Sequence, residues 1–257
     1  MIYTQTTFPK SLCEICESHR EKALVMYEQK NYVQALHHAN LAVAKLKQLQ
    51  EDRPLDANMI DAVLGLTYEI LKSADQYQKA LVCAKEEWHS LLMNVRDNSN
   101  VQEMVLNSPV ALIESSIYNN EFEYAERVAR ALWKTIITEL HHISEDQRQK
   151  YISRGAYWLA QAAYYLAVND GIEPEEKELV GEEVISLARR ALEIDTQLFG
   201  IESDKVASDM ALLARVLKYF NGIVDDEILR MYEQRRQVAV TARRRKGSTS
   251  TGDDGMK

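Results

Sequence analysis

The chain has 257 residues, of which 9 Gly and 4 Pro make 13, about 5% against roughly 12% in average proteins. So few chain breakers point to helix throughout, and 46% hydrophobic residues exclude a disordered or fibrous chain. Thirty-one basic against 39 acidic residues leave a formal charge of −8, which works against general attraction to nucleic acid or anionic membrane, and three cysteines cannot build a disulfide framework.

Residues 1–10, MIYTQTTFPK, read as an N-terminal extension without the basic start and apolar run of a secretory signal. The expected compartment is the reducing cytoplasm, with the nucleus as the alternative. A first helix pair is expected over 11–50. Ser11-Leu-Cys-Glu14 fits a capping box, Ala23, Met26 and Tyr27 mark the first helix, and Tyr32, Ala35 and Ala39 mark the second. The pair over 55–95 carries Leu64, Gly65 and Tyr68, then Tyr77, Ala80 and Ala84. The pair over 108–142 begins at Ser108-Pro109, an N-cap followed by proline at the first helical position, and carries Leu112, Ile113 and Ser116, then Phe122, Ala125 and Ala129.

The fourth pair spans 145–199 after a second capping-box candidate, Ser144-Glu-Asp-Gln147. Trp158, Leu159, Ala160 and Tyr164 belong to its first helix and Val184, Ala188 and Ala191 to its second, with Gly171 and Pro174 in the longer connection. The uncharged stretch Gly155–Asn169 is shorter than the roughly 20 residues a bilayer requires and reads as a packed helix. A weaker fifth pair spans 203–244, broken at Asn221-Gly222, and the tail 247–257 is expected to be disordered.

The first three second helices superpose without a gap at a spacing of 45 residues. An aromatic residue at i with alanine at i+3 and i+7 lies on one helical face, where the small side chains admit a neighbouring helix and the ring fills the space beside it.

This pattern, Leu-Gly/Ala-Tyr in first helices and Tyr-x-x-Ala-x-x-x-Ala in second ones, resembles the tetratricopeptide repeat (TPR) superfamily over about residues 15 to 240. The stretch Ala188-Arg-Arg-Ala-Leu-Glu-Ile-Asp-Thr-Gln-Leu-Phe-Gly200, continuing through Val206-Ala207 to Leu213-Ala214, resembles repeats of kinesin-light-chain type. A looser likeness is to the helical C-terminal domain of SET-and-MYND and MYND-finger proteins. The resemblance implies an all-α solenoid, a right-handed superhelix of about five helix pairs, acting as a non-catalytic scaffold or adaptor that binds a peptide or partner protein in a concave groove. Leu24, Val63 and Ala111 stand where chaperone-clamp repeats carry polar clamp residues, and Ala211-Leu212 where kinesin light chains pair asparagines. The resemblance therefore carries over the architecture and not those two groove chemistries.

On that architecture the candidate groove residues are Arg20, Leu24 and Tyr27, then Glu114 and Tyr118, then Arg154, Tyr157, Gln161 and Tyr164, then Arg215, Lys218 and Tyr219. The last two sets form a basic, aromatic wall suited to an acidic segment, because Arg offers a planar fork to carboxylates and Tyr offers rigid area with a polar tip. The opposing reading packs these tyrosines between helices and leaves the charges solvated.

Arg230 to Lys246 holds seven basic residues and one acidic, Glu233. Its patch, Arg235, Arg236, Arg243, Arg244, Arg245 and Lys246, reads either as a solvated capping helix or as a nuclear or nucleic-acid docking arm. The alternative functions are accordingly a nucleic-acid-associated nuclear protein and the regulatory repeat part of a MYND-methyltransferase-like system.

Cys13-x-x-Cys16 has the spacing of half a closed zinc site and His19 lies three beyond, but the three share one expected helix and no second cysteine pair completes the four ligands, so no metal or other cofactor is expected. The adjacent pairs His37-His38 and His141-His142 read as surface or groove-edge residues. Phosphate-loop, dinucleotide, nucleophile-elbow and H-E-x-x-H motifs are missing from the sequence, and carboxylate pairs such as Glu86-Glu87 read as solvated charges. The expectation is a non-enzyme with a protein partner, no small-molecule substrate and no membrane.

Overall fold

The computed structural model describes residues 11–52, 57–94, 101–139, 143–170 and 174–222, together with Asp226, Ile228, Arg230, Met231 and Gln234. The expectations for the N-terminal extension, for His141-His142, for the basic patch Arg235, Arg236, Arg243, Arg244, Arg245 and Lys246, and for the tail 247–257 lie outside the described residues. Among the described residues the elements are α-helices: α1 (Leu12–Glu28), α2 (Tyr32–Asp52), α3 (Ala57–Ser73), α4 (Tyr77–Asn94), α5 (Val101–Tyr118), α6 (Phe122–Glu139), α7 (Glu145–Asp170), α8 (Pro174–Phe199) and α9 (Asp204–Asn221). They fall into two compact units, Met1–Val128 and Ala129–Lys257. No helix among the described residues is long and apolar enough to cross a membrane.

In the first unit the repeated alanines do what their spacing requires. Ala35, Ala39, Ala80, Ala84 and Ala125 are each at most 2% exposed, so the helices approach at these points with little more than a methyl group between them. Around them lies a core of Leu46, Ile60, Val63, Leu64, Leu81, Leu91 and Leu112, with Cys16 and Cys83 among its members. The second unit is built likewise on Ala129, Ala156, Ala160, Ala163, Ala188 and Ala191, with Leu159, Met210, Leu213 and Leu217 filling the space between.

The turns inside the three 45-residue repeats are identical in form. Lys30, Asp75 and Asn120 have φ of 59°, 56° and 60°, a left-handed conformation that costs a side-chain-bearing residue about 1 kcal/mol. Each closes the preceding helix with the double bond of a Schellman motif. The Lys30 N–H donates to Tyr27 O (2.8 Å) and Asn31 N–H to Met26 O (2.9 Å). Asp75 and Gln76 donate likewise to Lys72 O (3.1 Å) and Leu71 O (2.9 Å), and Asn120 and Glu121 to Ile117 O (3.1 Å) and Ser116 O (2.8 Å). In the second unit glycine takes the left-handed position, at Gly200 and at Gly222 closing α9.

The Ser11 capping box forms as expected: the Glu14 N–H donates to Ser11 Oγ (3.2 Å) and the Ser11 N–H to Glu14 Oε2 (2.8 Å). Ser144 accepts from the Gln147 N–H (3.4 Å), and α8 begins at Pro174. The Ser108-Pro109 start is corrected. The third repeat begins at Val101, and Pro109 sits inside α5. Val101-Gln-Glu-Met-Val-Leu supplies helix formers that carry the chain through, although proline removes one N–H from the ladder and its ring crowds the carbonyl of the preceding turn.

The reading of Glu87 as a solvated charge is also corrected, because Glu87 is 3% exposed on α4 and hydrogen-bonds Asp61 on α3. Burial, followed by the neighbouring Asp61, pushes its carboxyl from the ordinary 4.5 up to about 8, so the two carboxyls share a proton at neutral pH. A second pair sits between α8 and α9. Asp195 and Asp209 are 1% and 2% exposed and hydrogen-bond each other, leaving Asp209 Oδ2 without a partner. Burial and the Asp195 charge push Asp209 upward, while Lys205 Nζ lies 3.2 Å from Asp195 Oδ2.

Candidate functional site

In the second unit, Arg154, Tyr157, Gln161 and Tyr164 follow one another on α7 at steps of three and four, which places them on one helical face. Arg215, Lys218 and Tyr219 occupy the corresponding face of α9. The two sets meet at a pair of rings. Tyr164 and Tyr219 lie edge to face, with centroids 5.8 Å apart and planes at 88°. Tyr219 is tied down at its tip, since its hydroxyl donates to Ala167 O on α7 at 2.9 Å. Burial raises the Tyr164 hydroxyl pKa, with the Arg215 charge opposing that rise.

The charged members of this face are all basic. Arg215 is exposed, and its Nη1 donates to the Tyr165 hydroxyl at 3.3 Å, while Lys218 is exposed at the last turn of α9. Lys177 of α8 places its ammonium 4.4 Å from the centre of the Tyr219 ring, a cation–π distance. Arg154, 10 residues and about 15 Å along α7 from Tyr164, is half-buried, and that burial lowers its guanidinium pKa. Between them Gln161 keeps its Oε1 buried without a hydrogen-bond partner. The seven expected residues of the second unit thus occupy two facing helices. Tyr164, Tyr219 and Arg215 form its centre, and Tyr157 turns edge-on to Trp158 (5.3 Å, 88°).

Arg20 and Tyr27 belong to the first unit and are engaged there. Arg20 forms a two-point ion pair with Glu17, its Nε donating to Oε1 at 2.9 Å, and the Tyr27 hydroxyl lies 3.2 Å from Ser73 Oγ. Glu114 of α5 accepts from the Tyr68 hydroxyl (2.7 Å) and from Lys72 Nζ (3.1 Å), and Tyr77 stacks on Tyr118 at 4.6 Å. Sequence reasoning missed Tyr165 and Lys177. The Tyr164-Tyr165 doublet was the available signal for the first, whereas Lys177 sits in the polar first turn of α8, whose direction no local pattern reveals.

Among the described residues, no group of three or more His, Cys, Asp or Glu side chains is placed to hold a metal ion. Cys16 donates its thiol to Ala42 O (3.4 Å) and is pushed up to about 11 by burial, so it remains a neutral thiol. His19 turns instead to α2, where its Nδ1 lies 3.3 Å from the Nδ1 of His38.

Searches of family models and of curated proteins give no match. Solved structures do match. The TPR-like repeats of a Podosopora anserina protein described as a kinesin light chain superpose with a TM-score of 0.60 at 14% identity, covering 92% of this chain and 100% of that one. A point variant of the same repeats gives a TM-score of 0.63 at the same identity and coverage. The fold is a TPR-like all-α helical repeat. The helix pairs, the buried alanines and the short turns described above are the elements this TPR-like fold is made of.

Proposed function

We propose that the chain is a non-catalytic protein-interaction scaffold whose α7/α9 face holds an acidic, aromatic-containing segment of a partner protein. The observation that carries this reading is the Tyr164–Tyr219 edge-to-face pair with Arg215, Lys218 and Lys177 around it. Rigid tyrosines supply contact area at small entropic cost, and the surrounding cations supply the complement to carboxylates. Both tyrosines are held by α7 and α9 rather than by loops, so the surface is preorganised. Structural likeness to TPR-like repeats agrees with binding as the kind of work done.

The test is a pull-down from cell extract with the intact chain and with an Arg215→Glu, Lys218→Glu double variant. Both substitutions fall on exposed side chains, and circular dichroism should report the same helix content for both proteins. A partner retained by the intact chain and lost by the double variant supports the α7/α9 face. An unchanged set of partners overturns it.

A further inference from the structure

We infer that the stacked rings of Tyr77 and Tyr118, with the carboxylates of Asp75 and Glu114 beside them, form a docking point in the first unit for an arginine side chain of a partner protein. The inference is independent of the α7/α9 reading, which concerns the other unit and a ligand of opposite charge. Tyr118 ends α5 and Tyr77 begins α4, and their rings lie 4.6 Å apart with planes at 20°. Tyr118 is 53% exposed, more than any other aromatic residue among those described. The pair is fixed before any ligand arrives. The Tyr77 hydroxyl donates to Asp75 Oδ1 at 2.9 Å, and Nδ2 of Asn119, next to Tyr118 in the chain, donates to Tyr77 O at 3.0 Å. Rigid tyrosine area left open to water in this way is suited to contact with a partner.

The occupant follows from how the same unit treats its other tyrosines. Lys72 Nζ stands 5.6 Å from the centre of the Tyr68 ring and 3.1 Å from Glu114 Oε2. Lys85 Nζ stands 4.8 Å from the centre of the Tyr124 ring and 3.4 Å from Glu121 Oε2. Each is a triad of ring, cation and carboxylate, in which the ammonium meets an electron-rich face and its counter-ion together. The Tyr77–Tyr118 stack has rings and carboxylates, but no cation among the described residues lies over either ring. The hydrogen bond to Asp75 leads the causes that raise the Tyr77 hydroxyl pKa, and the charges of Asp75 and Glu114 act in the same direction. Lys72 is matched by Glu69 (3.4 Å) as well as by Glu114, so the surroundings stay negative. Tyr68 and Lys72 both bond Glu114 through Oε2, which leaves Oε1 for a further donor. A guanidinium suits this place better than an ammonium, because it is planar, stacks on a ring and still directs N–H groups sideways to carboxylates. The fold supplies the ring and the counter-ions, and the partner supplies the cation.

Titration of the full chain with the acetylated peptide Gly-Gly-Arg-Gly-Gly, followed through the tyrosine ring resonances in NMR, tests this. The Tyr77 and Tyr118 signals should shift together and saturate. The same peptide with citrulline for arginine keeps the shape without the charge and should bind about threefold more weakly or worse. Tyr118→Ala should weaken binding of the arginine peptide by about the same factor, and Asp75→Asn, which the left-handed corner tolerates, by about twofold. Glu86→Gln, which removes a carboxylate farther along α4, should leave binding unchanged. Tyr118→Leu keeps an apolar cover on Tyr77 without a π face, and it serves if Tyr118→Ala loses helix by circular dichroism. Absence of saturable shifts at the two rings overturns the docking point. So does equal binding of the arginine and citrulline peptides, or binding unaltered by the Tyr118 and Asp75 variants.

Discussion

Glu87 of α4 hydrogen-bonds Asp61 of α3 at a place where Glu87 is only 3% exposed. Two carboxyls facing each other away from water can share a proton but cannot both ionise without cost. Because the folded-state value is raised from 4.5 to about 8, the folded chain holds this proton over a range in which the unfolded chain has released it. The stabilisation is complete below pH 4.5 and is lost as pH rises toward 8, at up to about 1.4 kcal/mol per unit. Glu87→Gln, a neutral mimic of the protonated acid, should therefore gain on the native chain in urea unfolding between pH 5 and pH 8. A constant difference across that range would remove the shared proton.

Two helical glycines should respond oppositely to alanine. A Cβ on Gly65 would meet Asp61 Oδ1 at 3.8 Å and Glu87 Oε1 at 4.0 Å, ordinary contacts. Gly65→Ala should then show the helix-propensity gain of up to about 1 kcal/mol. A Cβ on Gly155 would fall 2.6 Å from Ile136 Cδ1 and 3.1 Å from Trp133 Cε3. The isoleucine tip can turn aside but the indole cannot easily follow, so Gly155→Ala should lower the thermal midpoint despite the better helix former.

The left-handed turns offer a stabilising change. Lys30 at φ 59° makes no use of its side chain to hold that conformation, so Lys30→Gly should raise stability by about 0.5–1 kcal/mol in equilibrium unfolding. Asn120→Gly should give less, because asparagine tolerates the left-handed region better. Equal gains at both positions would contradict a steric origin.

Thiol chemistry should separate the three cysteines. Cys16 and Cys83 are buried, each donating to a backbone carbonyl at 3.4 Å, and burial pushes them up to about 11 and about 12. Cys13 is half-buried. Maleimide labelling of the native chain at pH 7 should mark Cys13 first, and the other two should react at the rate of unfolding. Fast modification of Cys83 in the folded state would show that its core opens more readily than its packing implies.

Tyr219 can be dissected at its tip. Tyr219→Phe removes the 2.9 Å bond to Ala167 O and keeps the ring against Tyr164, so it should cost about 1 kcal/mol of stability with little change in partner binding. Tyr219→Ala should affect both.

The alanine spacing made the helix pairs legible because a period of 45 residues, carried by small side chains on one face, admits little besides close helix packing. The α7 and α9 face was legible for the same reason, since residues three and four apart share a face whatever lies opposite. What escaped were relationships between helices. Glu87 meets Asp61 across 26 positions, Arg215 meets Tyr165 across 50, and His19 meets His38 across 19, and no pattern local to either partner announces the other. Pro109 escaped differently, because Ser-Pro is a common helix start and only the helix formers before it argue otherwise.

Lys30, Asp75 and Asn120 carry a cation, an anion and an amide at one backbone conformation. Side-chain chemistry is thus free to vary at these corners, while the pair of main-chain bonds that ends each helix is kept in every copy. What is inherited from one repeat to the next is a pattern of peptide groups. A search for further copies in other chains would do better to match the distance between left-handed corners than the letters that occupy them.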